Sequence, residues 1–215
     1  MTTTSLDHTV ALVPVRSLSG AKSRLGEPLD AEERADLVLG LLQRTVEAAL
    51  KATRLAGVVV VSMDADLLRR ARAMGAASML QETDGLNEGL DEARVAAGTA
   101  ATAVIVLPAD LPGVDASAID RLAEAGAAAL RDEPDKPLVV LVPDRHGTGT
   151  NALLVAPPRA IPFRFGEGSR AAHAEAARAA GASYLELDGP LSFDVDTLED
   201  LLEADRRGLD HAVGR

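Results

Sequence analysis

Short, valine-rich runs that are apolar at nearly every position recur along the chain, with stretches of helical period between them, and this alternation narrows the available folds. Thr9–Val15, Gly57–Ser62, Val104–Leu107, Pro137–Val142 and Asn151–Ala156 read as strands, with Ala77–Leu80 and Ser183–Leu187 as weaker ones. A strand that is apolar throughout, rather than at alternate positions, must be covered on both faces. In Ala31–Lys51 the residues Val38, Leu41, Leu42, Thr45, Val46 and Ala49 share one helical face, and Asp30 with Glu33 supplies the residues of a capping box. Asp64–Met74, Leu86–Ala97, Ala116–Leu130, Arg170–Ala180 and Thr197–Arg207 complete the helices. Strands alternating with helices predict an α/β fold: a single domain with a mostly parallel central sheet flanked by helices.

The chain's 215 residues, 47% of them hydrophobic, suffice for one sizeable core. The expected organisation is a domain over 9–208, a flexible N-terminus over 1–8 and a tail over 209–215. The turn-rich segments Arg131–Pro137, Asp144–Thr150 and Pro157–Gly168 are too short for domain linkers and read as loops around a site. Without cysteine, disulfides, thiolate metal sites and cysteine nucleophiles are excluded. No apolar stretch is long enough to span a bilayer, and Met1–His8 lacks the basic and apolar regions of a signal peptide. A cytoplasmic protein with no membrane partner is expected. The net charge of −11 argues against a nucleic-acid partner, which would need a basic face.

Against that acidic background, three clusters stand out. Leu107-Pro108-Ala109-Asp110-Leu111-Pro112 follows a strand, and the carboxyl ends of strands are where open α/β sheets bind ligands. Asp110 is therefore a candidate functional carboxylate, although a turn aspartate capping the next helix would look the same; Asp115 is better placed for that cap. In Phe193-Asp194-Val195-Asp196-Thr197, two carboxylates two residues apart in an extended segment leave the same face and can share a metal. Asp196, with Glu199 three residues on, would equally serve as the N-cap of the last helix.

The third cluster is the basic turn Arg16–Leu25, in which Gly20 permits close backbone approach while Lys22 and Arg24 can meet phosphate oxygens. It fits neither a Walker loop nor a dinucleotide fingerprint. An exposed basic turn is the alternative. A further constellation joins Gly147-Thr148-Gly149-Thr150-Asn151 to Phe165-Gly166-Glu167-Gly168-Ser169-Arg170. Ser169 at a helix start could face a small anionic acceptor or simply cap the helix. His173 lies one turn on; it and His8, His146 and His211 lack metal-ligand or triad spacing and read as structural or solvent-facing.

Taken together, Pro-Val-Arg…Ala-Lys-Ser-Arg-Leu, Leu-Pro-Ala-Asp-Leu-Pro, Gly-Thr-Gly-Thr-Asn, Phe-Gly-x-x-Ser-x-x-x-His and Asp-Val-Asp-Thr resemble the phosphoenolpyruvate/2-phospho-L-lactate guanylyltransferases of coenzyme F-420 biosynthesis. The resemblance runs from about Ala11 to Leu202; Leu198 and Arg16 depart from it at positions where such sequences often have Pro and Lys. It implies a Rossmann-like nucleotidyltransferase fold of the molybdenum-cofactor guanylyltransferase type. It also implies GTP and a small phosphorylated carboxylic acid as substrates, Mg²⁺ as cofactor, and a downstream enzyme of the same pathway as partner. By the same resemblance Asp110, Asp194 and Asp196 would hold the metal, and Thr150, Gly166 and Ser169 would contact the acceptor. Pro14, Arg16, Gly20, Lys22 and Arg24 would bind the nucleotide, with Lys22 and Asp110 catalytic. The rival readings are a molybdopterin or sugar-phosphate nucleotidyltransferase, and a catalytically idle nucleotide-binding regulatory module.

Overall fold

The computed structural model describes residues 4–15 and 30–209. In chain order the elements are β1 (Thr9–Pro14), α1 (Ala31–Lys51), β2 (Gly57–Ser62), α2 (Ala65–Ala73), β3 (Ala77–Leu80), α3 (Leu86–Ala96), β4 (Ala103–Val106), α4 (Ala116–Asp132), β5 (Leu138–Pro143), β6 (Thr150–Ala156), α5 (Ser169–Ala179), β7 (Ser183–Glu186) and α6 (Leu198–Arg206). Every expected strand and helix is present, with ends moved by one or two residues at most. Asp30 and Glu33 form the capping box of α1, and the lone side chain of Thr45 in its buried face satisfies its hydroxyl on the Leu41 carbonyl at 3.0 Å.

One seven-stranded sheet runs in the order β3-β2-β1-β4-β6-β5-β7. β1 is parallel to β2 and β4, β2 to β3, and β5 to β7; β6 alone runs against its neighbours β4 and β5. The reason for that reversal is the short link from Pro143 to Thr150, which can close a hairpin but cannot carry a parallel crossover.

Residues alternate between two covered faces. Ala11, Val13, Val58, Val60, Ile105 and Val140 pack with Val38, Leu42 and Val46 of α1, Leu67 and Leu68 of α2, and Ile119 and Leu122 of α4. Leu12, Val59, Val61, Val104, Val106 and Leu153 pack on the other side with Leu90 and Ala93 of α3 and Ala177 of α5. The period of two inside runs without a polar residue is what a sheet sandwiched between helix layers requires.

Two consequences position the site. The chain leaves β1 toward β2 and β3, then returns to place β4 on the other side of β1, so the carboxyl ends of β1 and β4 flank a topological switch point. Because β6 is antiparallel, its first residues lie at that same edge: Val106 pairs with Leu153, Val142 with Ala152, and Pro143 with Thr150. Arg131–Pro137 is not at this edge, contrary to expectation. Arg131 and Asp132 finish α4, and the remainder enters β5 from its amino end, where Pro134 accepts from Thr4 N–H at 2.9 Å.

Candidate active site

After β4 the chain stays pinned, because Leu107 N–H donates to the Leu12 carbonyl at 2.9 Å and Leu111 and Val114 are buried. Half-buried Pro108, Ala109 and Asp110 lie between these anchors. The cap of α4 belongs to Asp115, whose carboxylate accepts from Ala118 N–H at 2.6 Å, and not to Asp110. Gly113 lets this loop seat on the segment before Asp194, since a Cβ there would lie 2.4 Å from the Pro190 carbonyl oxygen.

The Asp-x-Asp segment owes its orientation to its apolar partners. Phe193 and Val195 are buried in a small cluster with Leu37 and Leu41 of α1 and Leu201 and Ala204 of α6. Alternation in extended backbone then sends half-buried Asp194 and Asp196 to the opposite side. Val195 N–H donates to the Asp110 carbonyl at 3.0 Å, and Asn151 Nδ2 donates to Asp194 Oδ1 at 3.3 Å. Burial, then the nearby charge of Asp110, then that of Asp196, raise the Asp194 carboxyl above its ordinary range, against the Asn151 hydrogen bond that lowers it. The charges of Asp110 and Asp196 thus disfavour ionisation of Asp194.

Asp196 is not the cap of α6. Thr197 is the N-cap, and Asp200, rather than Glu199, completes the capping box. Asp200 is buried, accepts from the backbone N–H of both Asp196 (2.9 Å) and Thr197 (2.8 Å), and pairs with the Arg145 guanidinium. Burial pushes its carboxyl up, but those amides, Arg145 and the Thr197 hydroxyl outweigh it and hold the group below the usual carboxylate range. Arg145 and Arg207 stack on the Phe193 ring at 5.1 and 4.7 Å from its centroid. Neither Asp200 nor Arg145 was singled out by the sequence, although a Thr-x-x-Asp box was available to be read there.

Beside Asp194, Thr150 and Asn151 open β6, both buried. Pro157 starts at the distal edge and the chain returns along one face, with Ile161 and Phe163 buried. It reaches Gly166, whose φ of 127° suits glycine. Ser169 does not cap α5: the N-cap is Gly168 at φ 69°, and Ser169 is the buried first residue of the helix, donating its N–H to the Gly166 carbonyl at 3.1 Å. Asn87 of α3 holds this loop by both groups of Phe165, accepting from its N–H at 2.8 Å and donating to its carbonyl at 3.0 Å. His173 is fully buried. It accepts from Arg164 N–H through Nε2 at 2.9 Å and meets Thr150 Oγ1 through Nδ1 at 3.1 Å. Burial, with Arg164 nearby, lowers its pKa to about 4.

Pro14 closes β1 half-buried at the switch point; Arg16, Gly20, Lys22 and Arg24 lie outside the described residues. Among the described residues no three His, Asp or Glu side chains form a ready-made metal cage. The oxygen-only set of Asp110, Asp194 and Asp196 nonetheless suits a hard divalent cation of the kind that takes one or two carboxylates and completes its shell with substrate phosphate and water. A surface depression of about 350 Å³ lined by Gln43, Arg44, Glu47, Lys51 and Asp115 contains none of these carboxylates.

The fold is one that solved nucleotidyltransferases share. A nucleotidyl transferase from Methanothermobacter thermautotroptrophicus superposes with a TM-score of 0.68 at 17% identity, covering 94% of this chain and 97% of that one. A cytidylyltransferase from Leptospira borgpetersenii gives 0.60 at 13% identity, covering 96% and 97%. More specifically, the family model described as "Guanylyl transferase CofC like" matches residues 9–212, and the chain belongs to that family. The phosphoenolpyruvate guanylyltransferase of Rubrobacter xylanophilus is 43% identical over 200 residues, 92% of this chain and 94% of the relative. That of Sphaerobacter thermophilus is 43% identical over 197 residues, 91% of each.

Proposed function

We propose that the protein transfers GMP from GTP to the phosphate of phosphoenolpyruvate, releasing pyrophosphate, as a step of coenzyme F-420 biosynthesis. The family and its curated relatives support the reaction class and the acceptor. The observation that carries the reading is the hydrogen bond from Val195 N–H to the Asp110 carbonyl, which draws two acidic segments together at the switch point.

In this reaction an acceptor phosphate oxygen forms a bond to the α-phosphorus of GTP, the bond from that phosphorus to the bridging oxygen of the β-phosphate breaks, and pyrophosphate leaves with that electron pair. The acceptor oxygen is already ionised near neutral pH, so no general base is needed. The difficulty is to bring anions together. Asp110, Asp194 and Asp196 would hold Mg²⁺, which when bound supplies charge neutralisation and orients phosphate oxygens. Lys22 and Arg24, with Arg16 and Gly20 in the segment that leaves β1 after Pro14, would bind the triphosphate, Lys22 meeting charge that develops on pyrophosphate. Thr150, Gly166 and Ser169 would orient the acceptor, so that placement rather than proton transfer supplies most of the acceleration.

The test is a matrix of phosphoenolpyruvate, 2-phospho-L-lactate and 3-phosphoglycerate against GTP, ATP, CTP and UTP, with pyrophosphate release as readout. Fastest release is expected for GTP with phosphoenolpyruvate. No release with any of the three acceptors, or faster release with another nucleotide than with GTP, would overturn the assignment.

A further inference from the structure

We infer that His173 is a positioning residue that fixes the Thr150 hydroxyl as a hydrogen-bond donor toward the acceptor, because its imidazole is held between Arg164 N–H and Thr150 Oγ1. The inference rests on the proposed role of Thr150 in the acceptor site.

The argument is one of hydrogen-bond inventory. A backbone N–H can only donate, so the Arg164 amide, 2.9 Å from Nε2, requires a lone pair on that nitrogen. A neutral imidazole with a lone pair on Nε2 carries its proton on Nδ1. That nitrogen is 3.1 Å from Thr150 Oγ1, so the hydroxyl oxygen accepts there. Having accepted from the ring, the threonine oxygen directs its own proton elsewhere. A phosphorylated carboxylic acid bears only acceptor oxygens at neutral pH, so an oriented donor is the partner it needs.

Neutrality of the ring follows from its setting. His173 is fully buried, the Phe165 ring meets it edge-on at 5.0 Å between centroids, and the Arg164 cation disfavours a second proton. The same ring ties together the pieces proposed to touch the acceptor. It stands one turn after Ser169 on α5, bonds the start of β6, and bonds the strand of loop that runs into Gly166. A purely space-filling residue would have no need of two oppositely polarised nitrogens.

The experiment uses the full chain. Two-bond ¹H–¹⁵N correlation spectra of the wild type, with His173 assigned among the four histidines by its substitution, should show protonated Nδ1 and bare Nε2. The reverse tautomer would overturn the inference whatever the variants do. His173→Gln retains an acceptor near the Nε2 position and loses the donor to Thr150; it should raise the phosphoenolpyruvate KM about tenfold, the size of one lost hydrogen bond to a charged group, with the GTP KM little changed. His173→Asn retains a donor near the Nδ1 position and should lose less. Thr150→Val should raise the acceptor KM by a similar factor, and adding His173→Gln to it should cost nothing further. Multiplying effects in the double variant, or equal loss of kcat and both KM values in the two His173 variants, would mark His173 as merely structural. An unchanged acceptor KM in Thr150→Val would instead strike at the proposed acceptor site itself, separately from the tautomer.

Discussion

Val195 N–H donates to the Asp110 carbonyl at 3.0 Å, so backbone groups join the loop after β4 to the segment before α6. The main chain therefore holds the spacing of the Asp110 loop and the Asp194 segment. Substituting either carboxylate should leave this geometry standing. Asp110→Asn and Asp194→Asn should each lower turnover by at least about a hundredfold, as expected when a ligand of the proposed charge-neutralising metal is lost.

Without added metal, Asp110→Asn should also raise Tm or leave it unchanged. Its charge helps lift the Asp194 carboxyl above the ordinary range, and a folded-state pKa that is raised for an acid means the ionised form is disfavoured in the fold at neutral pH. Removing a repelling neighbour relieves that strain. Thermal unfolding with and without Mg²⁺ checks it: added metal should stabilise the wild type more than the variant.

Asp200 holds the backbone of Asp196 and Thr197 and pairs with Arg145 at the end of the Asp-x-Asp segment. Asp200→Ala should destabilise the fold by about 3 kcal/mol, the scale of a broken buried ion pair and its hydrogen bonds. Below its melting range the variant should also lose metal affinity, because Asp196 is no longer fixed. Denaturant titration and Mn²⁺ binding measure the two effects separately.

Gly113→Ala would place a methyl 2.4 Å from the Pro190 carbonyl oxygen. Backbone on both sides has to move, at a cost of about 1–3 kcal/mol for forced overpacking. Since this contact seats the Asp110 loop against the approach to Asp194, kcat should fall more than the loss of stability alone accounts for. Circular dichroism melts and initial rates on the same preparation test it.

Acid should destabilise the protein through His173. Its folded pKa lies near 4 against an ordinary 6.5, so the folded state binds fewer protons than the unfolded chain in that window. The contribution is intact above pH 6.5 and is lost as pH falls toward 4, to a total of roughly 3 kcal/mol. Urea unfolding at pH 7 and pH 4.5 should show a smaller acid penalty in His173→Asn than in the wild type.

Much of this was legible in the residues. Uniformly apolar runs gave away a sheet covered on both faces; Asp110 stood out by its place after a strand, Asp194 by the Asp-x-Asp pair, and Thr150 by the small-residue loop that runs into β6. What pattern could not supply was the direction of β6 in the sheet, which puts Thr150 and Asn151 beside the carboxyl ends of β4 and β5. The short link before Thr150 held that information, but a loop reads alike in either topology until pairing is known. Capping, the alternative role open to Asp196 and Ser169, falls instead to the neighbouring Thr197 and Gly168. Asn87 acts on the backbone of Phe165 and Arg145 pairs with Asp200, partners 78 and 55 residues apart that no local pattern reveals.

The carboxylates at the switch point are proposed to hold a divalent cation beside the nucleotide. Mn²⁺ binding to the full chain in the presence of GTP, followed by electron paramagnetic resonance, tests it most directly. Saturable binding that is lost in Asp194→Asn is the expected result; undiminished Mn²⁺ binding in that variant would contradict the account.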